Sequence, residues 1–233
     1  MNTKSQLFGA WCGPGFMISL GIGFILISHL FPPHPPTFTP AEVVAFYQTN
    51  TNQIRLGLLV FLWATAVYLP FAGVLTVQMA RIEGKYPMWT AVQVMASAGN
   101  VITLTFPMAF WATAAFRPER TPELIQLLDD LGWVPFVGMT SPFLIIPICI
   151  AVVGFSDKSK NPIFPRWYCF YNLFADLLLL PGGLIIFFHS GPFAWNGLFG
   201  VWIPFIDWGI WFCITTWLLI KGIKRQAAAE LVA

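Results

Sequence analysis

The 233 residues are 57% hydrophobic and only 9% charged, whereas a soluble domain carries about 25% charged residues. So apolar a chain cannot dress a water-facing surface, which excludes an ordinary soluble enzyme or carrier. The formal net charge of +2, with basic residues clustered in loops and not along a stripe, argues against a nucleic-acid partner.

Spanning a hydrocarbon layer takes about 20 predominantly apolar residues in a helix. Six stretches meet that length: 7–30, 56–79, 88–111, 133–155, 167–188 and 201–223. None alternates with the period of two that a barrel strand requires, so the expected fold is all-α, a single six-transmembrane-helix bundle occupying residues 1–233. The first stretch is too long for a cleavable signal peptide and runs into Phe31, Pro32 and Pro33 with no small-residue cleavage pattern, so it is expected to remain as an anchor.

Between the first and second spans, Thr39-Pro40-Ala41-Glu42 has the residues of a helix N-cap, first-turn proline and capping-box glutamate. A looser version, Thr121-Pro122-Glu123, follows the third span. Each precedes a short amphipathic run, 43–47 and 124–131, and the expectation is two short amphipathic surface helices in external loops. The glycines and serine of the first span (Gly9 with Gly13; Gly15, Ser19 and Gly23) recur every four residues, the spacing that lets helices approach closely. Every span contains a proline, expected to bend it.

Nine of the twelve basic residues fall on one side of these spans: Lys4, Arg81, Lys85, Lys158, Lys160, Arg166, Lys221, Lys224 and Arg225. Basic loops stay in the cytoplasm, which puts both termini there and suggests the inner membrane of a prokaryote. Cys12, Cys149, Cys169 and Cys213 all fall inside spans, with neither disulfide nor zinc-ribbon spacing, and read as packing residues.

Ionisable groups inside a span are costly and mark a functional site. Two acids qualify, Asp176 and Asp207, and at 1.5 Å rise per residue both fall near mid-depth. They are the candidate catalytic groups, able to act as acid and base. Other polar residues reach the same depth. Gln93, Ser97 and Asn100 form an i, i+4, i+7 stripe on the third span. Asn172 lies one turn from Asp176; Tyr68 and Thr65 project from the second span, and Thr140 and Ser141 from the fourth. Trp208 and Trp211 flank Asp207. Asn100, Ser97, Gln93, Asn172, Tyr68, Trp208 and Trp211 are the candidate ligand-binding set.

Acids among aromatic faces suit a lipophilic small molecule carrying one polar or cationic handle. Two other uses fit the same residues: an accessory subunit gripping partners in a membrane complex or a homo-oligomer, and a small proton-coupled transporter. His29, His34 and His189 gather on the external side, where Asp129, Asp130 or Glu42 would be needed to complete a metal site. Their spacing favours interfacial histidines over metal ligands. There is no phosphate-cradling loop, nucleophile elbow or HExxH motif, so no cofactor is implied and no motif fixes a reaction.

Overall fold

The computed structural model describes residues 2–139 and 141–230. It is helical throughout, with no strand among the described residues, and contains six helical segments long and apolar enough to cross a membrane. α1 (Thr3–Leu20) continues into a π-helical stretch, Gly21–Ile27. α2 covers Pro40–Glu83 and α3 Met88–Phe116. α4 (Pro122–Gly138) and α5 (Ser141–Ser156) together form the fourth segment. α6 (Arg166–Leu179) tightens into a 3₁₀ stretch, Leu180–Phe187. A π-helical stretch, Leu198–Trp202, leads into α7 (Ile203–Glu230).

α3 packs on α2, α4 and α5, while α1 packs on α2 and α7, and α6 on α5 and α7. Small residues set these distances. A Cβ on Gly23 would lie 2.6 Å from the Gly57 carbonyl oxygen, and one on Gly57 would overlap the Gly23 oxygen, so the first segment and α2 touch backbone to backbone. Gly9 meets the α2 backbone in the same way, at the Pro70 carbonyl, and Gly13 makes room for the side chains of Phe71 and Thr216. The inner faces are cemented by rings: Phe16 contacts Tyr68, Trp208 and Phe212 at centroid distances of 5.4–5.6 Å. A second aromatic cluster joins Phe24, Trp111, Trp133 and Phe136. The outward faces are apolar as well; Phe8, Trp11, Trp63, Met95, Ile102, Phe170 and Leu177 are all exposed. Uninterrupted apolar surface on this scale is foreign to a soluble monomer.

The two segments that the sequence reads as surface helices are both helical, and neither is a separate element. The first is the start of α2, capped as expected: Glu42 N–H donates to Thr39 Oγ1 at 3.4 Å and Thr39 N–H to Glu42 Oε2 at 2.7 Å. It joins the rest of α2 through Asn50, whose backbone leaves helical geometry (φ −112°, ψ 18°). The side chains of Asn50 and Thr51 turn back to the carbonyls of Phe46 and Tyr47, which bridges the kink. The second is the start of α4, where Thr121 forms no side-chain cap.

At the end of the bundle carrying both termini, buried Gln78 donates to Gln6 at 2.7 Å and to Gln226 at 3.2 Å, and accepts from Gln226 at 3.0 Å. These amides tie α1, α2 and α7 together. Glu83 caps α3, accepting from Trp89 N–H, Thr90 N–H and the Thr90 hydroxyl at 2.6–3.0 Å; a carboxylate there also complements the helix dipole. All four cysteines are free thiols, three of them buried.

Candidate functional site

Three of the six segments lose regular α geometry at one place. α4 stops at Gly138, α6 gives way to the 3₁₀ stretch at Leu180, and α7 is preceded by the π stretch ending at Trp202. These interruptions meet. A Cβ on Gly182 would lie 3.2 Å from the Val137 oxygen and 3.6 Å from the Gly200 oxygen, and one on Gly138 would lie 3.4 Å from Ile185. Gly200 in turn lies hard against the Ala194 carbonyl of the preceding loop. A side chain at Gly200 would overlap the Ala194 carbonyl, and one at Gly182 would crowd the Val137 oxygen. Among spanning segments, irregular backbone is tolerated where it is buried in protein or lines a cavity.

A cavity of about 90 Å³ lies beside this junction. Its walls are mostly apolar: Leu104, Phe136, Val137, Phe143, Leu179, Val201 and Phe205, with Pro204 and Gly200 from the broken entry to α7. The polar exceptions are Asn100, Thr103 and the indole of Trp208. Asn100 Nδ2 and Trp208 Nε1 are buried and have no hydrogen-bond partner among the described residues. An unmade buried hydrogen bond costs about 1–3 kcal/mol. The indoles of Trp111 and Trp133 are likewise unpaired, but they sit inside the packed aromatic cluster, whereas Asn100 and Trp208 border free volume.

Asp176 and Asp207 stand one helical turn from this cavity, Asp176 three residues before Leu179 and Asp207 three residues after Pro204. Both are buried, 8% and 6% exposed. Tyr171 donates to Asp207 Oδ1 at 3.0 Å. The other Asp207 oxygen and both Asp176 oxygens have no partner among the described residues.

The remaining members of the predicted set are paired with one another. Asn172 donates to the Tyr168 carbonyl at 2.7 Å and accepts from Trp211 Nε1 at 2.8 Å. Trp211 is held further through its carbonyl, which accepts from Thr215, itself bonded to the Tyr168 hydroxyl. Gln93 accepts from Thr76 at 2.8 Å and donates to Ser97 at 2.7 Å, joining α2 to α3. Tyr68 is buried, its ring packed on Phe16 and Phe212. Thr65 bonds its own helix at Leu62, and Thr140 lies outside the described residues. Four groups therefore stand at the cavity or one turn from it (Asn100, Trp208, Asp176, Asp207), Tyr68 does not line it, Gln93, Asn172 and Trp211 bond across helices, and Ser97 bonds Gln93 on its own helix. Tyr171 is absent from the sequence-derived set. It shares a helix with Asn172 and Asp176, but its partner is on α7, and periodicity on one helix does not reveal its register with another.

The opposite end holds a second polar cluster. His34 Nε2 lies 2.8 Å from Asp129 Oδ2, and Tyr47 donates to Asp129 Oδ1 at 2.8 Å. Phe38 stacks on the imidazole at 5.0 Å, while Phe46, Trp133 and Trp195 meet it edge-on. Trp195 Nε1 donates to the His34 carbonyl at 2.8 Å, which fastens the 190–197 loop over the cluster. Burial disfavours the imidazolium, but the Asp129 carboxylate bonded to it prevails and raises the His34 pKa above its ordinary value. Among the described residues, no three His, Cys, Asp or Glu side chains converge as a metal would need.

Neither family models, curated proteins nor solved structures give a match to this chain. The fold and the cavity therefore define it only as an all-helical protein whose six apolar segments are long enough for a membrane.

Proposed function

We propose that this is an integral membrane protein that binds a lipophilic small molecule in the cavity between α3, α4, α6 and α7, and exchanges a proton with its polar handle through Asp207 and Asp176. The observation that carries this reading is the meeting of three helix interruptions at a mostly apolar cavity bordered by unpaired N–H groups, with unpaired carboxylate oxygens one turn away. Asn172 and Trp211 are paired with each other, whereas Asn100 Nδ2, Trp208 Nε1, one Asp207 oxygen and both Asp176 oxygens have no partner among the described residues. An apolar cavity of about 150 Å³ suffices for benzene. The smaller volume here suits one end of an extended molecule, whose remainder would lie along the apolar outer surface.

The basic end of the bundle, with both termini, faces the cytoplasm in this reading, and a prokaryotic inner membrane is the expected location. Exposed Leu124, Leu127 and Leu131 on α4 support an interfacial position for the first part of that helix. Organic extracts of the purified protein, analysed by mass spectrometry, test the binding reading. Asp207→Asn and Asp176→Asn should each deplete a copurifying lipid or terpenoid-like molecule, and an unaltered profile in both would sink it.

A second reading, a small proton-coupled transporter, is favoured by the same interrupted helices, since discontinuous spans build many transporter sites. Proteoliposome flux that responds to an imposed proton gradient would support transport, and flux blind to it would exclude the coupling.

A further inference from the structure

The end carrying the termini holds a larger cavity, about 610 Å³, between the ends of α2 and α7 and the 156–163 loop. Its lining includes the cations Arg81, Lys158 and Arg225, the hydroxyl-bearing Ser156 and Ser159, and one acid, Asp157. Asp157 is partly engaged locally, its Oδ1 accepting the Ser159 N–H at 2.8 Å. Arg225 is fixed by two bonds from Nη2, to the Asn161 oxygen at 3.0 Å and the Pro162 oxygen at 3.3 Å. Neither bond uses its Nε or Nη1. Lys158 is exposed on the loop.

The surroundings reinforce the local sign. This end carries nine basic residues against Glu83, Asp157 and Glu230, while the opposite end carries three arginines against five carboxylates. The cavity itself is lined by three of these cations and one carboxylate, within a basic end that falls at headgroup level when the six segments cross a bilayer. Basic pockets between helices at that level recognise anionic headgroups, and a guanidinium beside an ammonium and the Ser159 hydroxyl is a donor set matched to phosphate oxygens; the Ser156 hydroxyl is engaged with the Val153 carbonyl at 2.8 Å.

From this we infer that the cavity between α2, α7 and the 156–163 loop is a binding site for a phosphate group, supplied either by an anionic phospholipid or by a soluble phosphate. The site shares no lining residue with the cavity beside Asp176 and Asp207 and goes beyond the reading given for it.

The test is thermal unfolding of the full chain in a nonionic detergent, titrated separately with short-chain phosphatidylglycerol, short-chain phosphatidylcholine and inorganic phosphate. Phosphatidylglycerol should raise the Tm and phosphatidylcholine should not. Lys158→Gln should weaken the apparent affinity about five-fold, the worth of one basic group near an anionic surface. Lys85→Gln, at the same end but outside the cavity, should leave it unchanged. A response to phosphatidylglycerol with none to phosphate assigns the site to a lipid headgroup. A response to phosphate alone with the same dependence on Lys158 assigns it to a soluble anion. Equal responses to the two lipids with none to phosphate, or equal losses in the two lysine variants, would overturn the inference.

Discussion

Asn172→Leu and Asp176→Asn alter polar positions one turn apart on α6, and their effects on stability should be opposite in kind. Asn172 closes a bond to Trp211 Nε1 at 2.8 Å, and Trp211 is 1% exposed. Leucine preserves approximate size but leaves that indole N–H without a partner. An interhelical bond in a membrane protein averages only about 0.6 kcal/mol, yet orphaning a buried donor costs about 1–3 kcal/mol, and the second figure governs a one-sided change. At about 2–4 °C per kcal/mol for a chain of this size, the Tm of Asn172→Leu should fall by roughly 2–12 °C. Neither oxygen of Asp176 has a hydrogen-bond partner among the described residues, so Asp176→Asn breaks none of the bonds seen and should melt clearly later than Asn172→Leu. Tryptophan fluorescence or size-exclusion melting of both variants in detergent measures the contrast. If Asp176→Asn melts as early as Asn172→Leu, Asp176 is holding helices together and its place in a ligand site is refuted.

Other outcomes follow from the packing and the caps. Gly57→Ala places a methyl group into the Gly23 backbone and should cost about 1–3 kcal/mol; Gly73→Ala, with nothing within 4 Å of a Cβ, should be neutral or stabilising, and paired melting curves compare them. Asp129→Asn removes the charge that His34 faces and should destabilise by about 3–5 kcal/mol if the pair is ionised, read as a Tm loss larger than that of any single surface charge. Because the folded-state pKa of His34 is raised, its contribution is fully present below the unfolded value of about 6.5 and is lost as pH rises through the higher folded value. The Tm difference between wild type and His34→Gln should therefore shrink from pH 5.5 to pH 8.5, and a difference that grows would reverse the assigned sign.

The six apolar segments were legible in sequence because a run of about 20 apolar residues has few other solutions. What happens inside and between them was less so. The segment opening α2 reads as an isolated surface helix because polar residues follow Tyr47; no proline interrupts 41–69, however, and Asn50 and Thr51 carry the helix across a kink with their own side chains. The interruptions of the fourth, fifth and sixth segments left a readable trace in Pro181-Gly182-Gly183 and in Gly138 and Gly200, but only their meeting gives them meaning, and that depends on helix packing. Likewise Gln93, Ser97 and Asn100, read as one stripe, all lie on α3 and are all buried. Its members then divide by partner: Thr76 from α2 takes Gln93, and Asn100 is left at the cavity. Single-helix periodicity places polar residues on a face, and the neighbouring helix decides which of them remain unpaired.

The central claim is that the cavity at the helix interruptions receives a lipophilic molecule. Native mass spectrometry of the full chain released from detergent, as wild type and as Thr103→Phe, which fills the cavity from its wall, tests it most directly. Wild type should carry a discrete non-covalent adduct that organic extraction recovers as a lipophilic compound, and Thr103→Phe should lose it while staying folded. A wild-type protein at the bare chain mass, or an adduct equally abundant in the filled variant, would contradict the account.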